Sequence, residues 1–176
     1  MKRQRKKWFM YAVVGVLVLW SGLQIVELAG RGTPVERADK MLYQVARFQM
    51  ELLGSHLTES AKAKDTDGLN SLRQAAYSAA YAHEHLVLAY GEGKLAKLEA
   101  PSKLLQYLVR LQIAGTRPLK ADEQQTLAEA ARGFAALFAA YGSLMSPGDA
   151  VVSSQNTKLT EADKALAELL DRKLLP

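Results

Sequence analysis

The side chains with the most chemical capacity are three histidines, His56, His83 and His85. The triplet His83-Glu84-His85 invites a metal reading. Residues two apart on an α-helix point about 200° apart, so His83 and His85 cannot chelate one ion from a regular helix. Carboxylate-bridged metal sites in helical bundles use a Glu-x-x-His step on paired helices. No Glu stands three residues before any histidine here. The expectation is therefore a partly buried His83 on a helix seam and a solvated His85. The chain has no cysteine, which removes a thiol nucleophile, a thiolate metal site and a disulfide framework. It has no Gly-x-Ser-x-Gly elbow, phosphate loop or His-Glu-x-x-His step. No carboxylate pair stands out among the 18 acidic residues, which fall where solvated helix faces would place them. No catalytic residue, metal ligand or cofactor is assigned; a non-enzymatic protein is expected.

The aromatic residues are more informative. Tyr77 and Tyr81 lie one helical turn apart, beside the seam formed by Ala76, Ala79 and His83, and Leu88 extends their side of the helix. Such spacing fits an ordinary core edge. It also fits a partner-binding surface, because aromatic side chains are enriched where proteins meet. Tyr77, Tyr81 and Leu88 are the candidate partner-binding residues, and Tyr107 is assigned to a similar surface.

The net charge of +5 suggests nucleic acid until its distribution is inspected. Lys2, Arg3, Arg5, Lys6 and Lys7 supply five of the 23 basic residues. The 18 that remain balance the 18 acids, so the rest of the chain is neutral. A nucleic-acid binder would carry a basic patch on its folded domain; no nucleic-acid partner is expected.

That basic head precedes Trp8–Val26, an uncharged run rich in Val, Leu, Ile and aromatics. As a helix it would rise about 28 Å, close to the roughly 30 Å of a bilayer's hydrocarbon core. Lys and Arg beside a membrane helix stay cytoplasmic. Residues 1–7 are thus expected inside the cell and the downstream domain outside. Cleavage as a signal peptide fits less well. A cut after Ala29 would put Glu27 at the −3 position, and a cut after Gly22 would put Trp20 there. Gly15 and Gly22 share one face of the run, where small residues permit close helix packing, so homo-oligomerisation enters as an expectation.

Helices must position the candidate residues. Ala29–Gly32 reads as a joint, and Thr33-Pro34-Val35-Glu36 as a capping box with proline at the first helical position. A helix should run from Pro34 to about Ala63, with Ala38, Met41, Leu42, Val45, Phe48 and Leu52 as its apolar stripe and a bend at Gly54-Ser55. A second, from about Asp67 to Tyr90, carries a seam through Leu69, Leu72, Ala76, Ala79, His83, Leu86 and Tyr90. Lys94–Ala100 reads as a short helical turn. Pro101-Ser102 opens a helix to about Ala114, with Leu104, Leu105, Leu108 and Leu111 inward. Ala121–Leu144 has the clearest helical rhythm, through Leu127, Ala131, Phe134, Phe138, Tyr141 and Met145. Ala150–Lys158 reads as a loop, and Thr160–Lys173 as a last amphipathic helix docked by Leu166, Leu169 and Leu170. The fold class expected is all-α: a single N-terminal transmembrane helix (residues 8–28), a joint (29–33) and an antiparallel bundle of four to five helices (34–176).

This order, with the step Pro118-Leu119-Lys120-Ala121-Asp122-Glu123 before a long helix, resembles the membrane-anchored N-terminal helical region of the YpeB-type spore germination proteins. The resemblance spans roughly residues 8 to 145 and transfers no catalytic motif. Those proteins continue into further C-terminal domains, whose roles do not carry over. The resemblance implies a bacterial extracytoplasmic protein that binds or stabilises a cell-wall lytic enzyme. The residues alone point to a membrane-tethered bundle that binds a protein partner outside the cytoplasmic membrane. A ligand-sensing ectodomain is the alternative. Residues 1–7 are too short for an output domain, so sensing would work through a separate membrane partner.

Overall fold

The structure, a computed structural model, describes residues 34–174. The basic head, the expected membrane anchor with Gly15 and Gly22, the joint and Thr33 of the capping box lie outside the described residues. Among the described residues there are five α-helices and no strand: α1 (Pro34–Ser60), α2 (Asn70–Tyr90), α3 (Ala100–Gln112), α4 (Ala121–Gly142) and α5 (Ser153–Leu174). None of them is long and apolar enough to cross a membrane. From Ala38 onward the chain forms one packed unit, a helical bundle.

α1 buries Ala46, Met50, Leu53 and Leu57, in steps of four, three and four residues. This corrects the expected stripe: Met41, Val45 and Phe48 are more than half exposed, and Leu42 and Leu52 are half-buried. α1 carries two apolar stripes with the same rhythm on nearly opposite faces, and periodicity does not say which one meets the core. Gly54 makes a close approach possible. A Cβ there would lie 3.1 Å from the ring of Phe134 on α4.

α2 buries the expected seam from Leu72 to Leu86, including His83, while Tyr90 is half-buried. A single 3-10 turn, Asp67–Leu69, leads into it. Gly91 ends it at φ 91°, a left-handed conformation that glycine adopts without Cβ strain. The segment that follows is a turn and then irregular backbone, where a short helix was expected. Its polar groups are met by α5 instead of by a helical ladder. Ala96 N–H donates to Asn156 Oδ1 at 3.0 Å, and Asn156 Nδ2 donates to the Lys94 carbonyl at 3.2 Å.

α3 starts at Ala100, with Pro101 in the first turn, where a missing N–H costs nothing. Its N-terminus is capped from another helix. The buried carboxylate of Asp163 on α5 accepts the N–H groups of Glu99 and Ala100, each at 2.9 Å. Lys103 and Asp171 continue the α3–α5 contact with an ion pair of 2.6 Å. After α3 the chain returns alongside residues 64–66. Thr66 N–H donates to the Arg117 carbonyl at 2.9 Å, and Leu119 N–H donates to the Lys64 carbonyl at 3.0 Å. Glu123, in the first turn of α4, accepts the Lys120 N–H at 2.9 Å and both arms of the Arg117 guanidinium.

α4 and α5 pack against each other along their length. Leu166 of α5 packs over Gly133 of α4. α5 begins at Ser153, seven residues before the expected start, so most of the expected 150–158 loop is helix. Ser, Asn and Thr are weak helix formers, which hides this turn in the sequence. Thr157 and Thr160 donate to carbonyls four residues back, and Asn156 is held by the 91–99 segment.

Candidate functional site

His83 is the first site to test for chemistry. It is 3% exposed and both ring nitrogens are occupied. Nε2 lies 2.9 Å from the Ala96 carbonyl oxygen, which can only accept, so Nε2 carries the proton and donates. Nδ1, 3.1 Å from the Tyr141 hydroxyl, then accepts from it. Burial lowers the imidazole pKa to about 4, against a smaller opposing effect of the Ala96 carbonyl, so the ring is neutral at ordinary pH. Burial likewise raises the Tyr141 hydroxyl. Tyr43 on α1 donates its hydroxyl to the Tyr141 carbonyl at 2.8 Å and stacks on its ring. The network joins α1, α2, α4 and the 91–99 segment. Both nitrogens of the imidazole are engaged within the chain, although His83 also borders a cleft beside α2. Among the described residues no group of three acidic, histidine or cysteine side chains is placed to hold a metal ion.

His85 is half-buried, not solvated as expected. Its ring lies 4.1 Å from that of Tyr81, and Tyr81 lies 6.3 Å from Tyr77. Nδ1–H donates to the Tyr81 carbonyl at 2.9 Å. Tyr77, Tyr81 and His85, at four-residue steps, form an aromatic ridge along the outside of α2.

Tyr77, Tyr81 and Leu88 are each more than half exposed. They are not isolated. Tyr77 borders a depression of about 540 Å³ with Arg73 and Gln74 of α2 and Leu105 and Val109 of α3. Nearer the 91–99 segment, Leu88 borders a cleft of about 290 Å³ with Glu84, Lys97, Leu98 and Ser102. The depression lies between α2 and α3, and the cleft between α2 and the 91–99 segment with Ser102 of α3; the two follow one another along one side of α2 and make up an α2–α3 groove. Val109 and Ile113 extend its apolar side on α3 as exposed residues. The α3 contribution was missed in the sequence, where Leu105 was placed inward; it is half-buried, packed on the core and bordering the groove at once. The signal was a second apolar row, Leu105, Val109 and Ile113, at four-residue steps beside the inward row.

Tyr107 does not belong to this surface. It is 4% exposed and sits in the buried row Leu104, Tyr107, Leu108 and Leu111. The reason is helical phase: Tyr107 is two residues from both Leu105 and Val109, so it points to the opposite face. Burial raises its hydroxyl pKa, with Thr126 of α4 opposing that shift.

No family model, no curated protein and no solved structure matches the chain.

Proposed function

We propose that this chain is a non-enzymatic, membrane-tethered helical bundle that binds a protein partner on the outer side of the bacterial cytoplasmic membrane. It acts there as a cell-envelope or sporulation component. The observation that carries the reading is the α2–α3 groove. Tyr77, Leu88 and Val109 line it with exposed apolar surface, and Leu105 adds a half-buried edge that also packs on the core. Single exposed apolar residues are ordinary, whereas an aligned set on two neighbouring helices is a contact surface.

The groove fits an amphipathic helix. From Tyr77 to Leu88 is eleven residues of α2, about 16 Å or three turns, enough for three or four anchors at i, i+3, i+4 and i+7 spacing. Arg73, Glu84 and Lys97 give it a rim of mixed charge. The fully committed nitrogens of His83 support a non-enzymatic role, since the most reactive buried side chain is already used to hold the fold. The apolar run Trp8–Val26 behind five basic residues supports the tether and its orientation. The resemblance to the anchored region of YpeB-type proteins supports a cell-wall lytic enzyme as the class of partner.

The test is capture of partners by the full chain from membranes in mild detergent, comparing the wild type with a Leu88→Lys, Val109→Glu variant. Wild-type recovery of a specific partner, lost in the variant, is the expected result. A partner retained by the variant, or no specific partner at all, overturns the reading.

A further inference from the structure

We propose that two copies of the chain pair in parallel through the outward face of α1, separately from the α2–α3 groove. Met41, Val45 and Phe48 are each more than half exposed on that helix. With Ala38, exposed, and Leu52, half-buried, they recur at steps of three, four, three and four residues. That is the spacing of a coiled-coil seam. The seam that packs into the bundle, through Ala46, Met50, Leu53 and Leu57, lies roughly 140° away around the helix, so both can be satisfied at once.

The occupant is fixed by what flanks the seam and by what precedes it. In heptad terms Ala38, Val45 and Leu52 take position a, and Met41 and Phe48 take d. Gln44 and Glu51 then stand at g, and Gln49 and His56 at e. Across a parallel pair, g of one copy meets e of the next heptad of the other. Gln44 would face Gln49 of the second copy, and Glu51 its His56, which lies 3.3 Å from Glu59 of its own chain, so the flanks are polar with one histidine shared between two carboxylates. Val45 at the central a position meets half of the rule for two-stranded pairing, a β-branched residue at a, while Met41 and Phe48 fill d in place of Leu. The seam covers only two heptads, fewer than the three or four that sustain an isolated coiled coil. The 33 residues before Pro34 supply what is missing. Their apolar run would hold both copies in one membrane, entering α1 in the same direction and at high effective concentration. This inference rests on the tether in the proposed function, and not on the groove.

The chain's lack of cysteine makes the test direct. A Val45→Cys variant of the full chain, expressed in membranes and oxidised, would form a covalent dimer, because facing thiols at a central a position come within disulfide range. An Arg47→Cys variant on the same helix, exposed but off the seam, is the control. The expected yield of dimer is roughly tenfold higher for Val45→Cys, as the geometric limits of the disulfide require. With the chain in the membrane fraction, equal yields or no dimer overturn the pairing and leave the tether standing. Recovery of the chain in the soluble fraction overturns the tether, and parallel pairing with it.

Discussion

The Tyr141 hydroxyl donates to Nδ1 of His83, whose Nε2 is held protonated by the Ala96 carbonyl. Burial of this imidazole makes the fold sensitive to acid. The ordinary histidine pKa of 6.5 falls to about 4 in the folded chain. The unfolded chain therefore binds a proton between those values that the folded chain does not. Stability from this residue is complete above pH 6.5 and is lost as pH falls toward 4, by about 3 kcal/mol in all. Chemical denaturation of the full chain in mild detergent at pH 7 and pH 4.5 should show the drop. A His83→Gln variant should lower stability at pH 7 and flatten the dependence across this window.

Asp163 should be a costly polar residue to remove. Its carboxylate meets two N–H groups at the start of α3 that have no helical partner. Burial raises its pKa in spite of those bonds. The folded chain thus holds this proton more tightly than the unfolded one, and ionisation works against stability as pH rises through the carboxylate range. The N–H groups still need an acceptor. Asp163→Ala should cost about 2–3 kcal/mol by orphaning them, and amide hydrogen exchange at Ala100 should accelerate.

The contact of Gly54 with Phe134 gives a steric prediction. Alanine at position 54 gains up to about 1 kcal/mol of helix preference, but its Cβ would sit 3.1 Å from a buried aromatic ring. The two effects should nearly cancel. Gly54→Leu has no such offset and should destabilise by about 1–3 kcal/mol through overpacking. Thermal unfolding of the two variants side by side would check this.

How much of this was legible in the sequence differs from helix to helix. α2 and α4 were readable because each has one dominant apolar face and a glycine-containing stop just after it, Gly91 and Ser146-Pro147-Gly148-Asp149. α1 was readable as a helix but not in its orientation, because both of its stripes obey the same period. The start of α5 was hidden because Asn156 and its Ser and Thr neighbours look like a loop until the 91–99 segment is placed against them. The same cause hid the cap on α3. Asp163 lies 63 residues from Ala100, and local capping rules see only neighbours. At the candidate site, Tyr77, Tyr81 and Leu88 lie where their spacing put them. Tyr107 does not: it shares the phase of Leu104, Leu108 and Leu111, the row that the sequence places inward, and its aromatic side chain alone suggested a surface.

That division within α3 yields the sharpest contrast to measure. Val109 and Tyr107 are two residues apart, one exposed and one buried. Val109→Glu with Leu88→Lys changes only exposed positions, and each should alter stability by no more than about 0.5 kcal/mol. The lysine at position 88 would stand four residues after Glu84, a favourable helical pair. Tyr107→Ala empties a buried site and should cost about 3 kcal/mol or more. If the groove is the partner surface, binding and stability separate. The charged double variant should melt with the wild type and lose partner recovery at least about tenfold, a change of about 1.4 kcal/mol in binding free energy. Tyr107→Ala should melt early, and its remaining folded fraction should bind as the wild type does. Thermal unfolding and partner capture on the same three preparations would read both quantities. Binding loss that merely followed melting in all three would mean that the groove is ordinary surface.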